Sequence, residues 1–125
     1  MHKPFFITAC FSGALSVATG AFGAHALKEL VPDIALATFE TGVRYQFYHS
    51  FALLFVAISY QKFRTKLMKM AGRLFITGMV LFCGSLYLLT FLHPGYRWIG
   101  AVTPFGGLAF IAGWILMGIA VMKVK

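Results

Sequence analysis

The sequence predicts an all-α bundle of four transmembrane helices with both termini in the cytoplasm, and three observations lead there. Of its 125 residues, 60% are hydrophobic and only 11% charged, whereas a soluble domain is about half apolar and a quarter charged. Four apolar stretches, Pro4–Leu27, Gly42–Tyr60, Ala71–Leu92 and Pro104–Met122, are close to the roughly 20 residues that a helix needs to cross a hydrocarbon core. The basic residues are unevenly shared. Lys3, Lys62, Arg64, Lys66, Lys69, Arg73, Lys123 and Lys125 fall on one side of these spans, whereas Lys28, Arg44 and Arg97 fall on the other with all three acids, Glu29, Asp33 and Glu40. Lys and Arg in short loops stay cytoplasmic, so the termini and the second connection are expected inside, with the whole formal +8 on that face. No intervening stretch is long or polar enough for a soluble domain, which leaves one integral membrane domain, 1–125.

The first span, 4–27, carries Ser12, Ser16, Gly20 and Ala24 at four-residue intervals. Such a stripe lets a second backbone approach closely, and close packing drives helix association in lipid, so this helix is expected at the centre of the bundle. Lys3 before an apolar run, with Ala24-His25-Ala26 behind it, loosely imitates a signal peptide, and Ile7-Thr8-Ala9-Cys10 a lipoprotein cleavage box. The apolar run continues to span length, so processing is not expected at either place. Pro32-Asp33 follows, with Asp33 placed to cap a short interfacial helix; that helix either bends at Gly42 or runs straight into the second span.

The second span, 42–60, opens on the most polar stretch of the four. At about 100° per residue, Tyr45, Gln46 and His49 share one face while Glu40 and Arg44 share the opposite one. Glu40 and Arg44 have the favourable order for an i,i+4 interfacial ion pair. Gln46 and His49 lie deeper and must find partners within protein, because an unpaired polar group in hydrocarbon is costly.

In the third span, 71–92, Gly78, Cys83, Gly84, Ser85 and Tyr87 mark a packing face. His93-Pro94-Gly95 is expected to end that helix, with Tyr96, Arg97 and Trp98 as an interfacial anchor. Thr103-Pro104 reads as a helix start, threonine capping and proline at the first helical position. Gly106, Gly107 and Gly113 thin the last span, 104–122, and Trp114 is a packing residue deeper in.

Several function classes lose support at once. The cysteines, Cys10 and Cys83, are isolated within apolar segments, which reads as two small buried hydrophobes rather than a zinc or redox pair. The cluster from Lys62 to Arg73 lies between two spans, so it fits a topology signal touching anionic membrane lipids better than a nucleic-acid site. No Ser/His/Asp set, Gly-rich phosphate loop or carboxylate pair is positioned for catalysis, and an enzyme is not expected.

What remains is a polar cluster near the outer face, composed of His25, Tyr45, Gln46, His49, Ser85, Tyr87 and Thr103. An intramembrane ionisable residue is a functional hypothesis by default, and the cofactor, if any, is unknown. One reading makes His25 and His49 axial ligands of a haem. Another is a proton-coupled exporter built around a buried carboxylate, although the first, third and fourth spans contain no acid and Glu40 sits at the interface. The third is a hydrogen-bond network that fixes helix register.

Gly20-Ala21-Phe22-Gly23-Ala24-His25-Ala26-Leu27, Tyr45-Gln46-Phe47-Tyr48-His49, Gly84-Ser85-Leu86-Tyr87 and Thr103-Pro104-Phe105-Gly106-Gly107 with Gly113-Trp114 resemble the signature of the domain-of-unknown-function family 423. This group of small bacterial membrane proteins includes the relatives of human transmembrane protein 256. The resemblance covers nearly the whole chain and implies a multi-pass inner-membrane protein with no established activity. It also implies that His25, Tyr45, Gln46, His49, Ser85, Tyr87, Thr103 and Pro104 belong to the shared pattern. The leading expectation is therefore a non-enzymatic structural or accessory membrane subunit that contacts itself or a larger membrane complex. The alternative is a membrane-embedded module binding a small molecule or lipid (a quinone, haem or transported solute) through the polar cluster.

Overall fold

The computed structural model describes residues 1–92 and 94–123, with the backbone alone at 94–96. The α-helices are α1 (Lys3–Ala24), α2 (Asp33–Ser59), α3 (Lys66–Gly78), α4 (Gly84–Phe91) and α5 (Thr103–Met122). A π turn over Met79–Cys83 joins α3 and α4 into one rod, and 3-10 segments occupy Leu27–Glu29 and Pro94–Ala101. The expected helix end at His93-Pro94-Gly95, the Tyr96 anchor and the tail residue Lys125 lie outside the described side chains. Trp98 is exposed, as an anchor would be.

α1 begins where His2 caps it: the Phe5 amide donates to His2 Nδ1 at 3.4 Å, and proline lies in the first turn. The His2 amide donates to the Ala57 carbonyl at 2.9 Å, which sets the start of α1 against the end of α2. Burial, then the positive charges of Lys69 and Arg73, hold the His2 imidazole below its ordinary value of 6.5. Folding thus favours the neutral ring that can accept from Phe5. The unfolded chain binds a proton more readily, so this contribution is complete above about pH 6.5 and is lost as pH falls through the lowered folded value. Thermal unfolding in detergent should therefore show a small drop in Tm from about pH 7 to pH 5 that His2→Asn removes, because asparagine also caps but does not titrate.

α2 runs straight through Gly42 as one helix of 27 residues. No separate interfacial helix precedes the second span. Asp33 does not cap it; the N-cap is Pro32, extended and without a side-chain bond, and Asp33 stands in the first turn, where an acid complements the helix dipole. At the other connection Thr65 does cap, accepting from the Met68 amide at 3.0 Å, so α3 starts at Lys66 and part of the basic cluster is helical.

Among the described residues, the expectation of four helices apolar enough to cross a membrane is met by three: Lys3–Glu29, Lys66–Phe91 and Arg97–Met122. α2 has the length but falls short in hydropathy, because Arg44, Tyr45, Gln46, Tyr48 and His49 occupy two of its turns. The same helix is nonetheless well enclosed by protein, burying Phe39, Gly42, Gln46, His49, Ser50, Ala52, Leu53, Val56 and Ala57. α1 is peripheral, contrary to expectation: it packs mainly along α2 and leaves Phe11, Leu15 and Val17 exposed. Its small-residue face is Ser16, Gly20 and Gly23, with Gly20 against Val43 and Gly23 under the Phe39 ring. Ala24 is exposed and lies off that face. Cys10 is likewise exposed, whereas Cys83 is buried.

On the opposite flank, the rod of α3 and α4 pairs with α5. Phe75, Met79, Cys83 and Phe110 join Leu53, Val56 and Ala57 in one continuous core. Gly78 lies under Phe110, and a side chain on Gly106 would run into the Phe82 backbone within the π turn. Gly84 faces open space and takes no part in the packing face expected of it. Exposed apolar side chains such as Phe55, Val80, Leu88, Leu108, Ile111 and Ile115 coat the outside, the inverse of a water-soluble surface.

Candidate polar network within the bundle

His49 stands on the inner face of α2 and is 5% exposed. Its ring stacks on Phe110, with centroids 3.5 Å apart and planes 8° from parallel, and is bordered by Phe75 and Trp114. Trp114 Nε1 approaches His49 Nε2 at 3.2 Å, and His49 Nδ1 lies 2.7 Å from the Tyr45 carbonyl. An indole N–H can only donate, so Nε2 accepts and the proton sits on Nδ1, where it is donated to Tyr45. Both nitrogens of a neutral imidazole are therefore engaged.

A second set is built around Gln46. Its Nε2 donates to the Ser12 carbonyl at 3.1 Å, and its Oε1 accepts from the Tyr87 hydroxyl at 2.6 Å. Gly42, one turn away, is what admits the Tyr87 ring: a Cβ there would lie 2.8 Å from Tyr87 Cε1. Ser50 Oγ is 2.7 Å from the Gln46 carbonyl and 2.8 Å from Ser12 Oγ, and Ser12 Oγ in turn approaches Met79 Sδ at 3.3 Å. Through Gln46, α2 is thus tied to both α1 and α4. Tyr87→Phe leaves Gln46 Oε1 without this donor and should cost about 1 kcal/mol, read as a lower midpoint in SDS-driven unfolding.

The third set closes the π turn. Ser85 Oγ donates to the Phe82 carbonyl at 2.9 Å and lies 2.6 Å from Thr103 Oγ1. Thr103 is the first residue of α5 and not its cap, which is Val102. Its hydroxyl is used across helices instead.

The seven residues expected to form one outer cluster thus separate. Gln46 and Tyr87 are joined, Ser85 and Thr103 are joined, and His49 takes its partners from Tyr45 and Trp114. His25 joins none of them: it is the exposed C-cap of α1. Gly23 is level with Phe39, and His49 lies about 15 Å farther along α2 at 1.5 Å per residue. His25 and His49 therefore do not fit a haem pair. Glu40 and Arg44 are exposed and border a shallow groove with Gly20, Gly23 and Val43, with no ion pair between them within 4.0 Å.

Sequence reading missed Ser12, Ser50 and Met79 as polar partners. Ser50 follows Gln46 by one helical turn, a signal that was available; Ser12 stood only in the small-residue stripe. Among the described residues, no buried side-chain nitrogen or oxygen lacks a partner, as native interiors require.

The family described as protein of unknown function DUF423 matches residues 19–107. The chain is 41% identical to the UPF0382 membrane protein YwdK of Bacillus subtilis over 97% of its own length and 98% of that protein. It is 39% identical to the UPF0382 inner membrane protein YgdD of Escherichia coli, over 95% of its length and 89% of that protein. A similar relative is the UPF0382 membrane protein SH2409 of Staphylococcus haemolyticus, 39% identical over 97% of both chains. No solved structure matches.

Proposed function

The chain belongs to the DUF423 family of bacterial inner-membrane proteins, and from that premise we propose that it is a non-enzymatic structural or accessory subunit, whose α1–α2 face contacts a second copy or a larger membrane complex. The observation that carries this reading is a contrast between inside and outside. Interior polar groups are used up in bonds within and between the helices, whereas the outer seam of α1 and α2 is an open apolar groove of about 310 Å³ bordered by Cys10, Gly13, Val17, Phe47 and Phe51. Lipid-facing seams with small residues are where membrane helices dock.

In this reading α2 also crosses the membrane, as the fourth span. Its polar half is tolerated because Gln46, His49 and Ser50 face protein and not lipid. The basic end of the bundle, with Lys3, Arg64, Lys69 and Arg73, faces the cytoplasm. A reporter fused at the C-terminus should then be active only in its cytoplasmic form; activity of a periplasmic reporter there would refute the orientation.

Cys10 supplies the test of the contact surface, since it is exposed in the groove while Cys83 is buried. Oxidative or bismaleimide crosslinking in native membranes is expected to give a discrete higher-mass band through Cys10. The band should vanish in Cys10→Ser and weaken severalfold in Gly13→Leu, which fills the groove. A chain that stays a solitary monomer in membranes and mild detergent, with no band, would sink the proposal.

A further inference from the structure

At the basic end of the bundle a cavity of about 480 Å³ opens between the start of α1 and the turn joining α2 to α3, bordered by His2, Lys3, Tyr60, Gln61 and Arg64. Its size falls within the range of small-molecule sites, about 300–1,000 Å³. We propose that it is a site for one phosphate-bearing anion, of the kind carried by an acidic phospholipid headgroup.

Charge is the first argument. Lys3 and Arg64 line the cavity, and Lys69 and Arg73 are close enough to act on His2 beside them. The three side-chain carboxylates, Glu29, Asp33 and Glu40, all belong to the opposite end of α1 and the opening turns of α2. Among the described residues no carboxylate side chain accompanies the basic groups at this end; like charges so gathered repel one another, and an anion that enters reduces that repulsion.

Shape and donor chemistry are the second. The N-terminus of α1 lies at the cavity and that of α3 directly follows Arg64, so the positive ends of two helix dipoles reinforce the side-chain charges. Guanidinium, ammonium, amide and phenol groups surround the space; Arg in particular matches phosphate oxygens in pairs. His2 is held in place by stacking on Phe5 at 4.0 Å and by an edge contact with Tyr60 at 5.1 Å, which gives the cavity one fixed wall. The first turn of a spanning helix lies at headgroup depth, where phospholipid phosphates are found.

The test uses the full chain in nanodiscs of phosphatidylcholine, alone or with phosphatidylglycerol, read by native mass spectrometry and by Tm. One phosphatidylglycerol should be retained at least tenfold over phosphatidylcholine, with a raised Tm. Lys3→Gln with Arg64→Gln should abolish that preference, whereas Lys28→Gln at the opposite end should keep it. Lys3 and Arg64 are both exposed, so the double variant is expected to fold, and Arg64→Gln alone serves if it does not. Inorganic phosphate or glycerol phosphate added to phosphatidylcholine discs distinguishes the source: stabilisation by either, lost in the double variant, supports the site with a soluble ligand. No preference for any of these anions, or a preference that survives the double substitution, overturns the proposal.

Discussion

Gly106→Ala is expected to cost about 3 kcal/mol and to leave little folded protein in detergent, whereas Gly118→Ala on the same helix should be neutral or stabilising by up to about 1 kcal/mol. The two sites differ in what a single methyl group would meet. At Gly106 it would lie 2.7 Å from Phe82 Cα and run into the Phe82 nitrogen, both main-chain atoms within the π turn; at Gly118 there is nothing within 4 Å. A side chain can rotate away, but a backbone held by its own helix cannot. The comparison also controls for helix propensity, which favours alanine at both positions. Midpoints of SDS-driven unfolding for the pair would measure it, and equal values would show that α5 does not seat against the π turn.

His49→Ala is expected to be the most damaging change to an interior polar side chain, at about 4 kcal/mol. It removes the ring stacked on Phe110, opens a cavity beside Phe75, and frees the Trp114 indole N–H. Truncation of a buried ring typically costs 3–5 kcal/mol through lost contacts and cavity formation, to which each lost interhelical bond in a membrane adds about 0.6. In a Trp98→Phe background the remaining indole emission reports directly on this partner, so His49→Ala should shift the fluorescence of Trp114 as well as lower stability. His49→Phe separates the two contributions: it restores volume without accepting from Trp114, and most of the loss should be recovered if packing dominates.

Much of the helical scaffold was legible because length and hydropathy act on whole segments. Three spans follow from apolar runs alone, and the polar stretch Arg44–His49 already distinguished α2 from the rest. That stretch was read as a polar opening to an ordinary span, when it is what removes α2 from the set of helices apolar enough by composition. The site was less legible. Gln46 with Tyr87 and Ser85 with Thr103 were named as candidates, but their pairing depends on helix rotation and depth, which one sequence does not state. His25 stands apart because the outer end of α1 is level with Phe39, about 15 Å along α2 from His49, an offset set by the packing of the two helices. An error of phase put Ala24 on the packing face in place of Gly23, a difference of 100° around the helix. The π turn had no signal at all: Met79–Cys83 is an ordinary apolar run, and the altered winding falls where Phe82 meets Gly106.

The dependence of α2 on its neighbours bears on the order of events by which the chain is made. A segment that carries Arg44, Gln46 and His49 gains little from hydrocarbon by itself, and its amide finds an acceptor at the Ser12 carbonyl of α1. On the four-span reading, α1 and α2 would enter the bilayer as a paired hairpin, with the rod of α3 and α4 and then α5 closing over the polar face afterwards. The early hairpin would hold the Gln46 carboxamide half satisfied until Tyr87 emerges from the ribosome. A released chain truncated between Ser59 and Lys66 should accordingly leave α2 loosely held, open to extraction or to quality-control proteases.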